Sequence, residues 1–236
     1  MQLESLAGKT ALVSGGGSGI GLAIAEALVK EGVNVAIGSR RLELLQTETD
    51  RMNQLGLGKA LAVTLDVRTK DSVTAAIAEV TRELGEIDIL VNNAGLGVQD
   101  LVVDCSEKDW DLVLETNAKG TFFLSQAVLP AMQKKQDGFI LNIASQAAKH
   151  GYERTGPYCA AKFAVYGFGL ALQEEVKQYG IRVHSLCPGL VQVPTPELVS
   201  EQTPGWLQTQ DLANTALFVL KQPKRVNLEN IGLMGF

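Results

Sequence analysis

Cysteine and histidine are scarce in this chain of 236 residues, which contains three cysteines and two histidines. The cysteines, Cys105, Cys159 and Cys187, are far apart, and the sequence has neither a C-x-x-C pair nor a histidine cluster. We therefore expect neither a disulfide framework nor a bound metal. Unpaired thiols are typical of reducing compartments, so the expected location is cytoplasmic.

Long hydrophobic runs and an excess of basic charge are also missing. Residues 1–5 have no basic region followed by an apolar stretch, so no signal peptide is expected. No apolar run approaches the roughly 20 residues that a membrane-spanning helix needs, so no membrane partner is expected. A net charge of −5 argues against a nucleic-acid partner. Hydrophobic residues at 46% and charged residues at 20% are typical of a globular protein.

What the sequence does contain is an alternation of two periodicities. Short runs of Val, Ile and Leu predict strands buried on both faces: Thr10–Ser14, Val33–Ile37, Ala60–Leu65, Ile87–Val91, Phe139–Ile143, Val183–Leu186 and Val226–Leu233. Amphipathic segments between them predict helices, namely Leu22–Lys30, Ser72–Leu84, Asp109–Met132 and Tyr158–Tyr179. This order predicts an α/β protein, a single domain over residues 1–236 with a doubly wound parallel sheet of about seven strands and helices on both faces.

One long irregular segment follows the sixth predicted strand and carries most of the prolines. We expect residues 190–208 of it to form a lid over a substrate, since long loops in compact domains often cover binding sites. A disordered surface loop is the alternative.

A glycine-rich segment, Ser14–Gly21, lies between the first predicted strand and a helix. Glycines there let the backbone approach a pyrophosphate, and the helix N-terminus supplies amide donors. Ordinary turns also use glycine, but this position favours a dinucleotide. The spacing G-x-x-x-G-x-G resembles the cofactor motif of the short-chain dehydrogenase/reductase family, with Ser14 in place of threonine, and implies a Rossmann-type fold. The expected cofactor contacts in this segment are Gly15, Gly17, Ser18, Gly19, Ile20 and Gly21.

The end of the second strand indicates which cofactor is bound. It reads Ser39-Arg40-Arg41, with no acidic residue before Glu43. An acidic side chain here selects NAD, whereas a guanidinium can bind the 2′-phosphate of NADP. We predict NADP(H), with Arg40 as the main contact and Ser39 and Arg41 assisting. The alternative is that the arginines are solvated charges that open the next helix.

Further motifs follow in the order that the family uses. Asp66 and Val67 match an Asp-Val pair that the resemblance places against the adenine; Asp66 could instead cap the next helix. The resemblance also assigns Asn92–Gly95 to an N-N-A-G motif that lines the cofactor pocket with Asn93, Ala94 and Gly95, although such a segment can be a simple turn. Asn117 lies mid-helix, where a buried amide needs partners; the resemblance gives it a water that links the catalytic lysine to solvent.

The catalytic set is Asn117, Ser145, Tyr158 and Lys162. Tyr158 and Lys162 form a Y-x-x-x-K pair on one helix face, thirteen residues after Ser145. Alone, such a pair usually means a tyrosine packed on a lysine stem, but the whole ordered set is specific to the family. Carbonyl reduction needs a proton donor for the carbonyl oxygen. We expect Lys162 and an oxidised nicotinamide to lower the pKa of Tyr158 from ~10 towards ~7. Tyr158 would then serve as general acid and base. Ser145 would bind the substrate oxygen, and Tyr158 and Lys162 also contact the cofactor.

Two other readings of these residues are disfavoured. Ser145 has no G-x-S-x-G elbow and no evident histidine partner, which argues against a hydrolase nucleophile. Cys159 and Cys187 have no obvious activating base and are interpreted as packing residues.

The match weakens after the sixth strand. Pro188, Gly189 and Val191 fit the family's P-G-x-x-x-T motif and are expected to contact the cofactor, but Val193 stands where threonine is usual. Thr195 could replace it, or the contact could be missing. The segment from Val226 onward also departs from the family's C-terminal pattern. In the family, this C-terminal tail commonly packs between the subunits of a tetramer. A homo-oligomer, dimer or tetramer, is nevertheless expected.

The sequence thus predicts an NADPH-dependent oxidoreductase (EC 1.1.1.-) that reduces a ketone or aldehyde, carried by a small molecule or an acyl carrier. The 3-oxoacyl-acyl-carrier-protein reductases are the most similar members by general resemblance; reductases of sugars, steroids or xenobiotic ketones share every motif. A non-catalytic dinucleotide-sensing protein is the alternative from another class. A carrier protein would need a basic surface near the entrance, for which Lys134, Lys135, Lys149 and Arg154 are candidates, although solvated charges explain them equally.

Overall fold

The computed structural model describes residues 3–193, 203–228 and 231–236. Its main sheet has seven strands, all parallel, in the order β3-β2-β1-β4-β5-β6-β9. These strands are β1 (Thr10–Ser14), β2 (Asn34–Ser39), β3 (Ala60–Thr64), β4 (Ile89–Asn92), β5 (Gly138–Ile143), β6 (Ile181–Pro188) and β9 (Ile231–Leu233). The predicted seven-stranded parallel sheet is therefore confirmed.

The central strands are buried on both faces, as their apolar runs predict. In β1, Ala11 and Val13 pack into one hydrophobic core, and Leu12 between them packs into a second core on the other face. All three side chains are fully buried. Because successive side chains of a strand point to opposite faces, continuous apolar runs need cover on both sides.

Seven α-helices supply that cover in the described chain. They are α1 (Gly19–Lys30), α2 (Leu42–Asn53), α3 (Lys70–Leu84), α4 (Glu107–Leu114), α5 (Gly120–Lys135), α6 (Gly156–Val176) and α7 (Thr209–Leu220). Buried residues of α1, α2 and α7 belong to one core, and buried residues of α3, α5 and α6 belong to the other. This is the doubly wound, Rossmann-like arrangement expected from the sequence.

The last strand is shorter than expected. The apolar run Val226–Leu233 predicts a strand over its whole length, but the strand β9 begins at Ile231. Residues 226–228 are irregular, and the carbonyl of Leu228 faces the buried His184 side chain, 2.7 Å from Nδ1. Residues 229 and 230 lie outside the described part of the chain. The run Val226–Leu228 is thus used for packing beside β6 rather than for strand pairing.

The long amphipathic segment Asp109–Met132 is not one regular helix. A π-helical turn at Glu115–Lys119 separates α4 from α5. Asn117 lies in this turn, and its Nδ2 donates to the carbonyl of Val113, 2.9 Å away. Such turns widen a helix locally and often occur at functional sites. Here the widening places a polar side chain inside the protein.

The sheet order reverses between β1 and β4, which are neighbours in space while β2 and β3 continue on the other side of β1. In doubly wound sheets the carboxyl ends of the strands form a crevice at this reversal. A two-stranded parallel pair, β7 (Val191–Gln192) and β8 (Leu207–Gln208), lies beyond the end of β6. It joins the two ends of the segment that the sequence predicts to be a lid; residues 194–202 of that segment are outside the described chain.

Candidate active site

A single large cleft of about 1090 Å³ opens at the carboxyl ends of the strands, within the part of the chain that the structure describes. It contains most of the site residues predicted from the sequence: Gly15, Ser18, Gly19, Ile20, Ser39, Arg40, Arg41, Asp66, Val67, Asn93, Ala94, Gly95, Ser145, Tyr158, Lys162, Pro188, Gly189 and Val191. Residues that are up to 176 positions apart in sequence therefore meet in one place. Gly17, Gly21 and Asn117 do not line this cleft.

The glycine-rich loop fits a pyrophosphate. Gly15 and Gly19 have φ angles of +64° and +57°, which side chains rarely adopt. Ser18 precedes α1 in an extended conformation, and its side chain does not cap the helix. The amides of the first turn of α1 therefore remain for an anion, which the positive end of the helix dipole also favours.

Gly17 and Gly21 serve packing instead. A Cβ at Gly21 would lie 2.4 Å from Asn93 Nδ2 and 2.5 Å from the carbonyl oxygen of Gly15. A Cβ at Gly17 would lie 2.8 Å from a methyl group of Leu45 in α2. These two glycines allow α1 and α2 to approach the loop closely. They thereby support the loop that is predicted to contact the cofactor.

The hydroxyl of Ser14 connects the glycine-rich loop to the segment after β4. Its Oγ donates to the carbonyl of Val91 and accepts from the backbone amides of Asn93 and Ala94, at 3.0 to 3.2 Å. The side chain of Asn93 adds hydrogen bonds in the other direction: its Nδ2 donates to the carbonyls of Ser14 and Gly15. The hydroxyl of Ser14 thus joins the end of β1 to the end of β4 and the segment after it.

The part of the cleft formed by the residues that follow β2 and β3 carries basic side chains. Arg40 is exposed at its edge, and its charge contributes to lowering the pKa of Asp66, although Arg68 has the larger effect. Arg68 pairs with Asp66 through Nη2 and Oδ2 at 2.6 Å. Ser39 Oγ accepts from the amide of Arg41 and helps to shape this end of the cleft. The arrangement fits an anionic group beside Arg40.

The alternative role for Asp66, as the cap of the next helix, is wrong. The helix α3 begins at Lys70, with Thr69 in the capping position. The carboxylate of Asp66 accepts from the backbone amide of Arg68, in an Asx turn, and from its guanidinium. Asp66 therefore shapes the cleft wall rather than the helix end.

Ser145 and Tyr158 meet at the other end of the cleft. Ser145 follows β5 and precedes a short 3-10 turn, Gln146–Ala148, whose amide at Ala147 donates to Ser145 Oγ. Tyr158 lies in the first turn of α6 and hydrogen-bonds with Ser145. A Cβ at Gly97 would lie 3.0 Å from the ring of Tyr158, so this loop also holds the phenol in place.

Lys162 lies one turn beyond Tyr158 and is buried. Its Nζ donates to the carbonyl of Ile143 at 2.9 Å and lies 5.6 Å from the centre of the Tyr158 ring. Burial lowers the pKa of Lys162 to about 8. The lysine is thus a buried cation held against the end of β5.

Asn117 lies behind this lysine. It is 1% exposed, and its Nδ2 donates to the carbonyl of Leu96 at 2.8 Å. A Cβ at Gly95 would lie 2.5 Å from Asn117 Oδ1 and 3.4 Å from Lys162 Nζ, so both side chains converge on Gly95. Asn117 is therefore not a surface asparagine, because the π-turn directs this amide inward.

The protein's own groups shift the pKa of Tyr158 upward, whereas the predicted lowering also involves an oxidised nicotinamide. Burial raises the pKa of the phenol, and the hydrogen bond with Ser145 opposes this effect only in part. A buried phenolate loses its hydration, which favours the protonated form. The free protein consequently holds Tyr158 ready to donate a proton.

The segment after β6 reaches the glycine-rich loop. Pro188, Gly189 and Val191 line the cleft, as does Val193. A Cβ at Gly19 would lie 2.9 Å from a methyl group of Val193, so this valine packs over the loop where the family usually has a threonine. Thr195 lies outside the described residues.

Several cleft residues have no motif in the sequence. They come from loops, from the π-helical turn or from the last segment of the chain and include Arg68, Gln99, Thr116, Tyr152, Thr155 and Met234. Met234 follows β9, and the amide of Gly189 donates to the carbonyl of Leu233 at 2.8 Å. The pairing of β6 with β9 is the one signal that could have placed Met234 here.

The four basic residues considered for a carrier protein lie in two regions. Lys135 pairs with Asp88, which precedes β4 at the amino end of the sheet, opposite the cleft. Lys134 is its neighbour at the end of α5. Lys149 and Arg154 flank the loop that carries Tyr152, so only these two are beside the cleft.

Cys187 is buried and Cys159 is partly exposed. Burial raises the pKa of Cys187, which makes its thiolate less accessible. Among the described residues, no three His, Cys, Asp or Glu side chains are grouped as metal ligands would be. None of the helices in that part of the chain has both the length and the apolar character needed to span a bilayer.

Comparison with known proteins agrees with this geometry. The model of the short chain dehydrogenase family matches residues 9–204. An uncharacterized oxidoreductase of Staphylococcus aureus is 34% identical over 226 residues, which cover 96% of each chain.

Two solved structures are similar along nearly the whole chain. A variant of actinorhodin polyketide ketoreductase with NADPH has a TM-score of 0.88 and 32% identity, covering 100% of this chain and 98% of its own. A 3-oxoacyl-[acyl-carrier protein] reductase with bound NAD from Brucella melitensis has a TM-score of 0.86 and 30% identity, covering 97% of this chain and 92% of its own.

Proposed function

The chain belongs to the short-chain dehydrogenase family, and from this premise we propose that it is an NADPH-dependent carbonyl reductase in which Tyr158 is the proton donor. It is an oxidoreductase by family. The observation that carries the proposal is that Ser145, Tyr158 and Lys162 meet in the same cleft as the glycine-rich loop. A cofactor site and an acid–base site are therefore adjacent.

The cleft residues suit a nicotinamide dinucleotide. The glycine-rich loop and the first turn of α1 would hold the pyrophosphate, and Arg40 would bind a 2′-phosphate. Lys162 and Gly95 lie where a nicotinamide riboside would be held, between the loop and Tyr158. When bound, the reduced dinucleotide supplies the hydride.

The protein's own part is proton delivery and charge stabilisation. Ser145 donates a hydrogen bond to the carbonyl oxygen, and Tyr158 transfers its phenolic proton to that oxygen as the carbon is reduced. The Lys162 ammonium stabilises the phenolate that remains. Alcohol oxidation uses the same groups in reverse.

One neighbour is named a 3-oxoacyl-[acyl-carrier protein] reductase, and another is named a polyketide ketoreductase. A 3-oxoacyl-acyl-carrier-protein substrate is accordingly the narrower proposal, and Lys149 and Arg154 are the basic residues placed to meet a carrier. A single domain, a homotetramer and a cytoplasmic location stay predictions from the sequence.

The test is NADPH oxidation with a panel of neutral ketones by the wild type and by Tyr158→Phe. We expect turnover by the wild type and a loss of kcat of about 10²- to 10⁴-fold in the variant. NADPH binding, followed by fluorescence, should change less than threefold, because only the hydroxyl is removed. Retention of more than a tenth of kcat would remove Tyr158 from this role.

A further inference from the structure

The charges in the cleft are unevenly distributed. Arg40, Arg41, Asp66 and Arg68 lie at the end formed after β2 and β3. At the end around Ser145 and Tyr158, the only charged side chain among the described lining residues is Lys162, which is buried and bonded to the carbonyl of Ile143. Lys149 and Arg154 lie beside the cleft and are not among these lining residues. A substrate carboxylate held next to Ser145 and Tyr158 would therefore lose water without gaining a free cationic partner, which is costly.

The mouth beside Tyr158 is apolar. Leu101, Val102 and Val103 follow one another in the loop between β4 and α4 and are 42%, 82% and 86% exposed. The amide of Asp100 donates to the carbonyl of Arg154 at 2.9 Å, which ties this loop to the segment just before α6. Of the three side chains, Val102 lies next to the first turn of α6, since a Cβ at Gly156 would lie 3.4 Å from its Cγ2.

Two further exposed apolar side chains belong to the cleft itself. Leu190 and Met234 line it, and each is 64% exposed. Met234 packs closely on Gly189, where an added Cβ would lie 3.1 Å from its Sδ. We define the apolar rim as Leu101, Val102, Val103, Leu190 and Met234. Contiguous exposed apolar side chains commonly mark a ligand or partner site.

We propose that the substrate is an uncharged carbonyl compound whose aliphatic or aromatic extension lies along the apolar rim while its carbonyl reaches Tyr158. The occupant is a substrate because the rim continues directly into the cleft that holds the acid–base groups. This inference rests on the proposed function and adds the substrate class. It implies that catalytic efficiency depends on the apolar length of the ketone.

The experiment measures kcat/KM with NADPH for ethyl acetoacetate, its homologues with longer alkyl chains on the ketone, and free acetoacetate. In the wild type we expect a two- to fourfold rise for each added CH₂ group, up to the length of the rim. Free acetoacetate should be reduced at least tenfold less efficiently than its ethyl ester.

The rim is tested with Val102→Asp and Val103→Asp, which change exposed side chains and spare the core. Each should flatten the dependence on chain length, because the aspartate removes the gain in kcat/KM that the longer alkyl chains bring. The matched control is Leu57→Asp, since Leu57 is 61% exposed and does not line the cleft; it should retain the wild-type dependence.

Several outcomes would overturn the inference. The first is a wild-type kcat/KM that does not change with alkyl chain length. The second is a higher kcat/KM for free acetoacetate than for its ethyl ester. The third is an equal fall in kcat/KM for all ketones in the aspartate variants. A change of mass by sedimentation in Val102→Asp, with the chain-length dependence retained, would assign the rim to a contact between copies of this chain. Absence of turnover with every ketone would instead count against the proposed function.

Discussion

At the residue scale, the site depends on two side chains whose pKa values are shifted by burial. Lys162 is enclosed and its pKa falls to about 8, whereas burial raises the pKa of Tyr158. Sequence motifs identify both residues because the spacing Y-x-x-x-K fixes them on one helix face. Motifs do not give the balance between desolvation and charge, so the upward shift that the protein's own groups give to the pKa of Tyr158 could not be predicted from them.

These two pKa shifts predict the pH dependence of reduction. The phenol must be protonated to act, and its raised pKa keeps it protonated through neutral pH. The Lys162 ammonium is lost above about pH 8, so kcat/KM for reduction should be level below that pH and fall above it. In Lys162→Arg the charge persists, and the fall of the residual activity should move to higher pH. If the midpoint of this fall is the same in Lys162→Arg as in the wild type, the titration of Lys162 does not cause it.

Arg40 should determine the choice of cofactor. Arg40→Asp replaces a cation that can bind a 2′-phosphate with a group that repels it. We expect the Kd for NADPH to rise about 10- to 100-fold and the Kd for NADH to fall. Arg225→Asp is the control, because Arg225 is exposed, carries the same charge and does not line the cleft. Equal use of NADH and NADPH by the wild type would contradict the assignment.

At the scale of the element, strands were predictable and loops were not. The apolar runs of β1, β4 and β5 are buried on both faces, so their positions follow from the sequence pattern alone. The strand β6 has Arg182, His184 and Ser185 between its apolar residues. The helices α2 and α7 are not among the predicted segments, although the buried residues Leu45, Thr49 and Met52 of α2 follow helical spacing. The π-turn at Asn117 arises from a side chain that bonds to the carbonyl of Val113, which no apolar pattern encodes. Tyr152 and Met234 reach the cleft through loop geometry, which also leaves no periodic signal.

The contact between α1 and the glycine-rich loop provides a test at this scale. Gly21→Ala would place a methyl group 2.4 Å from Asn93 Nδ2 and 2.5 Å from the Gly15 carbonyl oxygen. We expect the free energy of unfolding to fall by about 1–3 kcal/mol and NADPH binding to weaken.

The matched control is Gly167→Ala in α6, where an added Cβ meets no atom within 4 Å. That change should stabilise the protein by about 0.5–1 kcal/mol, because alanine favours a helix. Denaturant unfolding measures both variants. Equal effects of the two substitutions would show that the close approach at Gly21 is unimportant.

At the scale of the whole molecule, function follows from where the sheet order reverses. The reversal between β1 and β4 opens the cleft, and the loops after the strands bring the glycine-rich segment, Arg40, Ser145 and Pro188 to its walls. The order of strands and helices in the sequence predicts this topology, since alternating elements give few other arrangements. The composition of the mouth, in contrast, depends on how the loops pack against one another.

The most direct test of the central claim is hydride transfer itself. NADPH that carries deuterium at its transferable position is incubated with a neutral ketone and the wild-type protein, and the product is analysed by mass spectrometry and NMR. The account predicts an alcohol with deuterium on the carbinol carbon, and a loss of this product of about 10²- to 10⁴-fold in Tyr158→Phe. Tight NADPH binding without any deuterated alcohol from the ketone panel would contradict it and would favour a protein that only senses the dinucleotide.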